Sequence, residues 1–368
     1  MQKVTNVNLK SLSLLEEKFS LFPPSDPKST MTYDYNKLSE ILQDKEIKPF
    51  DNNGDGTEKV YILTREFGQI AAEVARNPSI ASLQAYFDLD KRVEENLNGN
   101  FYLYAKQWGL SVKALYFYKL GEFQRAIDYT LECIALNEYL MTCGIHTLML
   151  RCAEQNRNIS RIYFKSGNWD EGARMANSLL RFLFNNDTDG LHGKTFVQHA
   201  YWAKTPYVRE GYAYECFRGF VSQMVVLSKL PKAISLDLFS MIFSNLEIDA
   251  NSIDRVFIYN WLELKHTFRL GEHEKFINDL IDYFDTPMSF KYEILKVALY
   301  DDLIEVIKNS NYHFESRLLE KVNDYFENKL LMSNVIIKDI GAKNNVTGSF
   351  ERGNQNPEDK DTKLKSAI

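Results

Sequence analysis

The chain has 368 residues, 45% hydrophobic and 26% charged, with a formal net charge of −6. That composition is ordinary for a soluble folded protein, and it excludes the general basic field of a non-specific nucleic-acid binder. Only 17 glycines and 9 prolines serve this length. Sheet-rich folds need many tight turns, so long helices are expected instead.

In chain order, residues 4–20 read as an amphipathic helix that the prolines of LFPPSDPKST break. A second helix is expected near residues 33–46, and KPFDNNGDGTEK reads as a loop. From about Lys59 helical periodicity dominates, with Ile62, Phe67, Ile70, Ala71 and Val74 on one side. Pro78 marks the next helix start. SLQAYFDLDKRVEENL and FYLYAKQWGLSVKALYFYKL follow as helices. Beyond Gly121 helices continue with short breaks, except for one irregular piece from about Asn185 to Gly211. They resume through YFENKLLMSNVIIKDI, and the polar tail 342–368 is expected to be disordered.

No window approaches the roughly 18 consecutive apolar residues of a membrane span. Glu16, Glu17 and Lys18 interrupt any secretory apolar run. Cys133, Cys143, Cys152 and Cys216 form no C-x-x-C pair. Reduced thiols and a cytoplasmic protein are the reading.

One phrase recurs: YKLGE from Tyr118, FKSGN from Phe164 and FRLGE from Phe268. Each has an aromatic residue, a cation, a glycine and then Glu or Asn. A bulky ring follows two residues past each glycine, at Phe123, Trp169 and His273. Ala126, Gly172 and Phe276 stand three residues further on. The physics fits a helical hairpin. The first helix ends at a glycine that takes the left-handed conformation, and its last-turn Lys or Arg faces the negative end of the helix dipole.

Here the chain resembles the tetratricopeptide repeat (TPR) family. Phe117, Gly121, Phe123, Ala126 and Ile127 carry the resemblance in the first unit. Tyr163, Gly167, Trp169, Gly172 and Ala173 carry it in the second, and Gly271 and Ile277 in the third. The glycines lie 46 and 104 residues apart, where a tandem array would space them by about 34. Longer helices or a short insertion would explain the first gap. Two degenerate hairpins plus the irregular loop would fill the second. The resemblance implies an all-α, TPR-like superhelix over residues 59–341, with a helical N-terminal extension over 1–58. An irregular helical bundle is the competing architecture.

In a TPR-like array the inner face of each first helix lines a concave groove. That register assigns Trp108, Ser111, Leu115, Tyr118 and Lys119 to the groove in the first unit. Glu154, Arg157, Asn158, Arg161, Phe164 and Lys165 follow in the second, and Trp261, Lys265, Phe268 and Arg269 in the third. A cationic, aromatic lining on an acidic protein points to a protein or peptide partner with an acidic segment. In the competing reading the rings pack between helices and the cations only cap them. The chaperone-carboxylate clamp of that family needs Lys and Asn where Ser111 and Leu115 stand, so it is not expected.

The irregular piece supplies a second candidate site: His192, Lys194, His199, Tyr201, Trp202, Lys204, Tyr207 and Arg209. Aromatics beside cations suit an anionic or peptide-like ligand, unless the rings simply pack on neighbouring helices. Asp51, Asn53, Asp55 and Gly56 match half of a calcium loop, but Ile62 stands where its bidentate Glu belongs, so a polar turn is the reading. His146, His192, His199, His266, His273 and His313 show no metal-ligand spacing. No cofactor motif occurs and no residue is nominated as catalytic. The expected function is a non-catalytic protein- or peptide-binding scaffold or adaptor. The alternatives are an enzyme or accessory subunit acting on a peptide at the 191–209 loop, and a ligand-responsive regulatory sensor.

Overall fold

The computed structural model describes residues 7–24, 45–51, 55–198, 200–227, 230, 232–248 and 253–330. The tail 342–368 and nearly all of the helix expected at 33–46 lie outside them. Among the described residues the chain is all-α, with no strand. The principal helices are α1 (Leu9–Phe19), α2 (Gly56–Arg76), α3 (Ile80–Asn96), α4 (Gly99–Leu120), α5 (Phe123–Thr142) and α6 (Leu148–Ser166). They continue as α7 (Trp169–Asn185), α8 (Pro206–Leu227), α9 (Lys232–Phe243), α10 (Ile253–Arg269), α11 (His273–Asp285), α12 (Tyr300–Lys308) and α13 (Glu315–Asp324).

The three echoed phrases are three identical joints. Gly121, Gly167 and Gly271 sit at φ of 81°, 82° and 75°. In each, the residue after the glycine donates its N–H back across the turn: Glu122 to Phe117 O (3.0 Å), Asn168 to Tyr163 O (3.0 Å) and Glu272 to Thr267 O (3.2 Å). This is the Schellman closure, which satisfies a carbonyl orphaned at the helix end. The next helix starts at once, so α4/α5, α6/α7 and α10/α11 are packed hairpins. Close approach comes from small residues at the first two. Ala126 is fully buried, and a Cβ on Gly172 would come within 2.9 Å of the Phe164 ring. In the third, Phe276 fills that place and packs on Phe268 at 5.4 Å between centroids.

Helix length explains the first glycine gap: α5 has 20 residues and α6 has 19. The second gap holds a single further pair, α8 with α9, plus loops, where two pairs were expected. Upstream, α2 packs on both α3 and α4. Its buried face is Val60, Leu63, Thr64, Phe67 and Val74. Ile62, expected on that face, is exposed, because the apolar stripe through Val60, Leu63 and Phe67 leaves it on the other side. Asp51 accepts from the N–H groups of Gly56 (3.3 Å) and Thr57 (2.8 Å), so its carboxylate caps α2.

The irregular piece is shorter than expected. Pro206 opens α8, a position where its missing N–H costs nothing, so Tyr207 and Arg209 are helical. Two one-turn helices, Lys194–Val197 and Tyr201–Lys204, interrupt what precedes it. Near the start of the described residues, α1 packs on α11 and α13. No helix among the described residues is long and apolar enough to cross a membrane.

Candidate functional site

A concavity of about 520 Å³ opens between α2, α4 and α6, with Gln223 of α8 also in its lining. On α4, the lining residues Trp108, Ser111, Val112, Leu115, Tyr118 and Lys119 follow i, i+3, i+4, i+7 spacing, one face of a helix. On α6 the same spacing yields Arg151, Glu154, Gln155, Asn158, Arg161 and Ile162. Phe67, Gly68, Ala71 and Ala75 of α2 supply an apolar wall.

A side-chain network joins α4 to α6. The Arg151 guanidinium stacks on Trp108, 4.0 Å from the ring centroid. It donates to Glu154 and, at 3.3 Å, to Ser111 Oγ. Gln155 Nε2 donates to the same Oγ at 3.1 Å, and Asn158 Nδ2 donates to Gln155 Oε1 at 3.2 Å. Glu154 is therefore already engaged. Lys119 donates to Ala75 O at 2.6 Å and so caps α2 rather than its own helix.

Arg161 differs from its neighbours. It has no hydrogen bond or ion pair with a described residue. It is exposed and lines the cavity. Burial and then the nearby Arg157 pull its pKa below the ordinary arginine value. The phenol of Tyr118 is pushed up by burial, with Arg161 opposing the shift.

A smaller cavity of about 290 Å³ is lined in part by the same Arg161 and Gln223. Arg157, Glu215, Arg218, Gly219, Ser222, Val226, Lys291 and Ile294 complete it. The two cavities are neighbours, sharing Arg161 and Gln223, and together are lined by α2, α4, α6 and α8 with Lys291 and Ile294. Their charged lining is six cations against two carboxylates.

Not every expected groove residue joins it. Phe164 is buried beside Gly172, and Lys165 is exposed but lines no described cavity. The third unit stands apart. Trp261 and Lys265 line a separate cavity of about 420 Å³. The Trp261 indole donates to Leu295 O at 2.9 Å within a ring cluster with Phe217, Phe239 and Phe243. Lys265 pairs with Asp302. Phe268 is core, and Arg269 lies over Phe239 at 5.5 Å. Lys119, Lys165 and Arg269 therefore do not share a groove. In the third unit, ring packing and ion pairing prevail over any outward lining.

Of the loop residues, Trp202, His192 and Arg209 are tied to neighbouring helices. Trp202 is buried, donates to Phe196 O at 2.9 Å and meets Phe182 edge-on. His192 is clamped through its backbone by Asn156, N–H to Oδ1 at 2.9 Å and carbonyl from Nδ2 at 3.0 Å. Arg209 caps α7 through Leu183 O at 3.0 Å. Lys194, Lys204 and Tyr207 are exposed and line no described cavity. His199 lies outside the described residues, as does the side chain of Tyr201.

Arg151, Gln155, Arg218 and the α2 wall were missed at the sequence level. In the register set by the glycines, Trp108 and Val112 correspond to Glu154 and Asn158 on α6; Arg151 and Gln155 fall outside it, although they share that helical face with Glu154 and Asn158. No glycine phrase marks α2 or α8; the periodicity placed Phe67 and Ala71 on one side of α2 but did not link that side to a groove. No family model, curated protein or solved structure matches this chain.

Proposed function

We propose that the chain is a non-catalytic, TPR-like recognition protein whose groove holds an extended peptide segment of acidic character. The observation that carries this reading is Arg161: a guanidinium in a concave wall, with no counter-ion of its own, at the junction of two cavities. An anion there would gain charge-assisted hydrogen bonds at little reorganisation cost. The apolar chamber beside it, with Trp108, Leu115 and Tyr118, would take a neighbouring side chain. Two neighbouring cavities of different lining suit a segment with two side chains rather than one compact metabolite. A cytoplasmic adaptor that captures a partner by such a segment fits these features. The loop-centred enzyme reading has less support, because Trp202 is consumed by the core.

Fluorescence anisotropy with degenerate acidic and basic decapeptide pools tests this. The acidic pool is expected to bind, to weaken as salt rises, and to lose about tenfold or more in affinity on Arg161→Ala, about the worth of one charge-assisted hydrogen bond. Equal binding of both pools, or an unchanged affinity in the variant, would contradict the groove.

A further inference from the structure

The smaller cavity has a charge imbalance that a simple carboxylate would not match. Arg157, Arg161, Arg218 and Lys291 surround it, and Glu215 is the only acidic residue in its lining. Glu215 is already shared, accepting from Arg218 and standing 3.9 Å from Arg157 Nη2. Arg218 Nη1 also donates to Lys291 O at 2.8 Å, which fixes its guanidinium against the cavity wall. Neither Arg161 nor the Lys291 ammonium has a side-chain partner among the described residues. Gly219 contributes by its lack of a side chain. A Cβ there would stand 2.0 Å from Arg157 Nη2, so the glycine makes room for that guanidinium.

Three guanidinium groups and an ammonium around one shared carboxylate leave an excess of positive charge. A phosphomonoester carries about −1.5 to −2 at pH 7 and offers three acceptor oxygens. Guanidinium forks match those oxygens bidentately, which a compact ammonium does not. We infer that this cavity is a phosphoryl subsite, so the bound segment carries a phosphorylated Ser, Thr or Tyr beside an apolar residue. The phosphoryl group sits among Arg157, Arg161 and Arg218, and the apolar side chain enters the chamber of Trp108, Leu115 and Tyr118. The inference rests on the groove reading and narrows its partner class. The lowered pKa of Arg161, from burial and then Arg157, agrees with a site that a dianion would relieve.

The test immobilises the full chain and passes over it peptide pools degenerate around a central phosphoserine, phosphothreonine or phosphotyrosine, with unmodified pools beside them. In parallel, calorimetry titrates phenyl phosphate and benzoate at matched ionic strength. At least one phosphorylated pool is expected to be retained about tenfold or more above its unmodified counterpart, and phenyl phosphate to bind more tightly than benzoate by a similar factor. Arg161→Gln should abolish both preferences. Gly219→Ala should weaken them by displacing Arg157, while a thermal melt shows the helix retained, since Ala is the better helix former. Equal retention of modified and unmodified pools would overturn the phosphoryl subsite and leave the acidic groove standing. Binding of phenyl phosphate with no pool retained would uphold the subsite and overturn the peptide as its carrier. So would a single-stranded RNA that binds as tightly as the best pool. Absence of all binding would overturn both.

Discussion

Gly121, Gly167 and Gly271 each hold a left-handed φ, and a Cβ at any of them would meet nothing within 4 Å. The cost of replacing them is therefore backbone strain alone. Gly121→Ala is expected to lower unfolding free energy by about 1–2 kcal/mol, the penalty of a left-handed residue with a Cβ. Gly68 offers the opposite case within the same groove: it is helical, has no positive φ, and also has open space around its Cβ position. Gly68→Ala is expected to stabilise by up to ~1 kcal/mol. Urea melts of the two variants check the pair, and a shared sign would contradict the argument. The same glycines were the clearest feature of the sequence. Their neighbours were not so easily read, because an aromatic–cation pair has no fixed fate. Tyr118 and Lys119 reach the groove, Phe164 goes to the core, and Arg269 lies over Phe239.

Among the elements, α1 shows what periodicity alone does not encode. Its amphipathic pattern predicted a helix, and Leu12, Leu15, Glu16 and Phe19 form the buried face. The partners lie hundreds of residues away. Glu16 is only 3% exposed, yet it pairs with Arg317, lies 3.6 Å from Lys321 Nζ and accepts from Tyr312 OH at 3.0 Å. Glu274 of α11 accepts from Asn8 N–H at 2.6 Å and Ser11 Oγ at 2.5 Å. Phe19 and Phe22 pack on Phe284 and Tyr325. Burial alone would raise the Glu16 carboxyl, but hydrogen bonds from Arg317 and Tyr312 and the nearby cations hold it below its ordinary value. Burial likewise opposes Glu274, and the Ser11 and Asn8 hydrogen bonds bring it down. The unfolded chain then takes up these protons more readily than the folded one. The contribution is full above the ordinary carboxylate pKa of 4.5 and is lost as pH falls through the lower folded values. Urea midpoints measured from about pH 6 to about pH 3 should therefore fall less steeply in Glu16→Gln than in the parent. Parallel profiles would show that Glu16 does not tie α1 to the C-terminal helices.

At the level of the molecule, five sequential helix pairs run from α2 to α11, and the groove uses the first of these and the three that follow it through α8. Helix content and hairpin joints were legible because glycine scarcity and the Schellman glycines are local properties. The site was half legible. Trp108, Tyr118, Asn158 and Arg161 followed from helical register on α4 and α6, but the α2 and α8 walls depend on which helices come to stand beside them. The measurement that tests the account most directly is hydrogen–deuterium exchange on the full chain, with and without a saturating pool of acidic peptides. Protection confined to α2, α4, α6 and α8, around Phe67–Ala75, Trp108–Lys119, Arg151–Ile162 and Glu215–Val226, is the predicted result. Protection centred on residues 191–205, or on the Trp261 and Lys265 cavity, would contradict it.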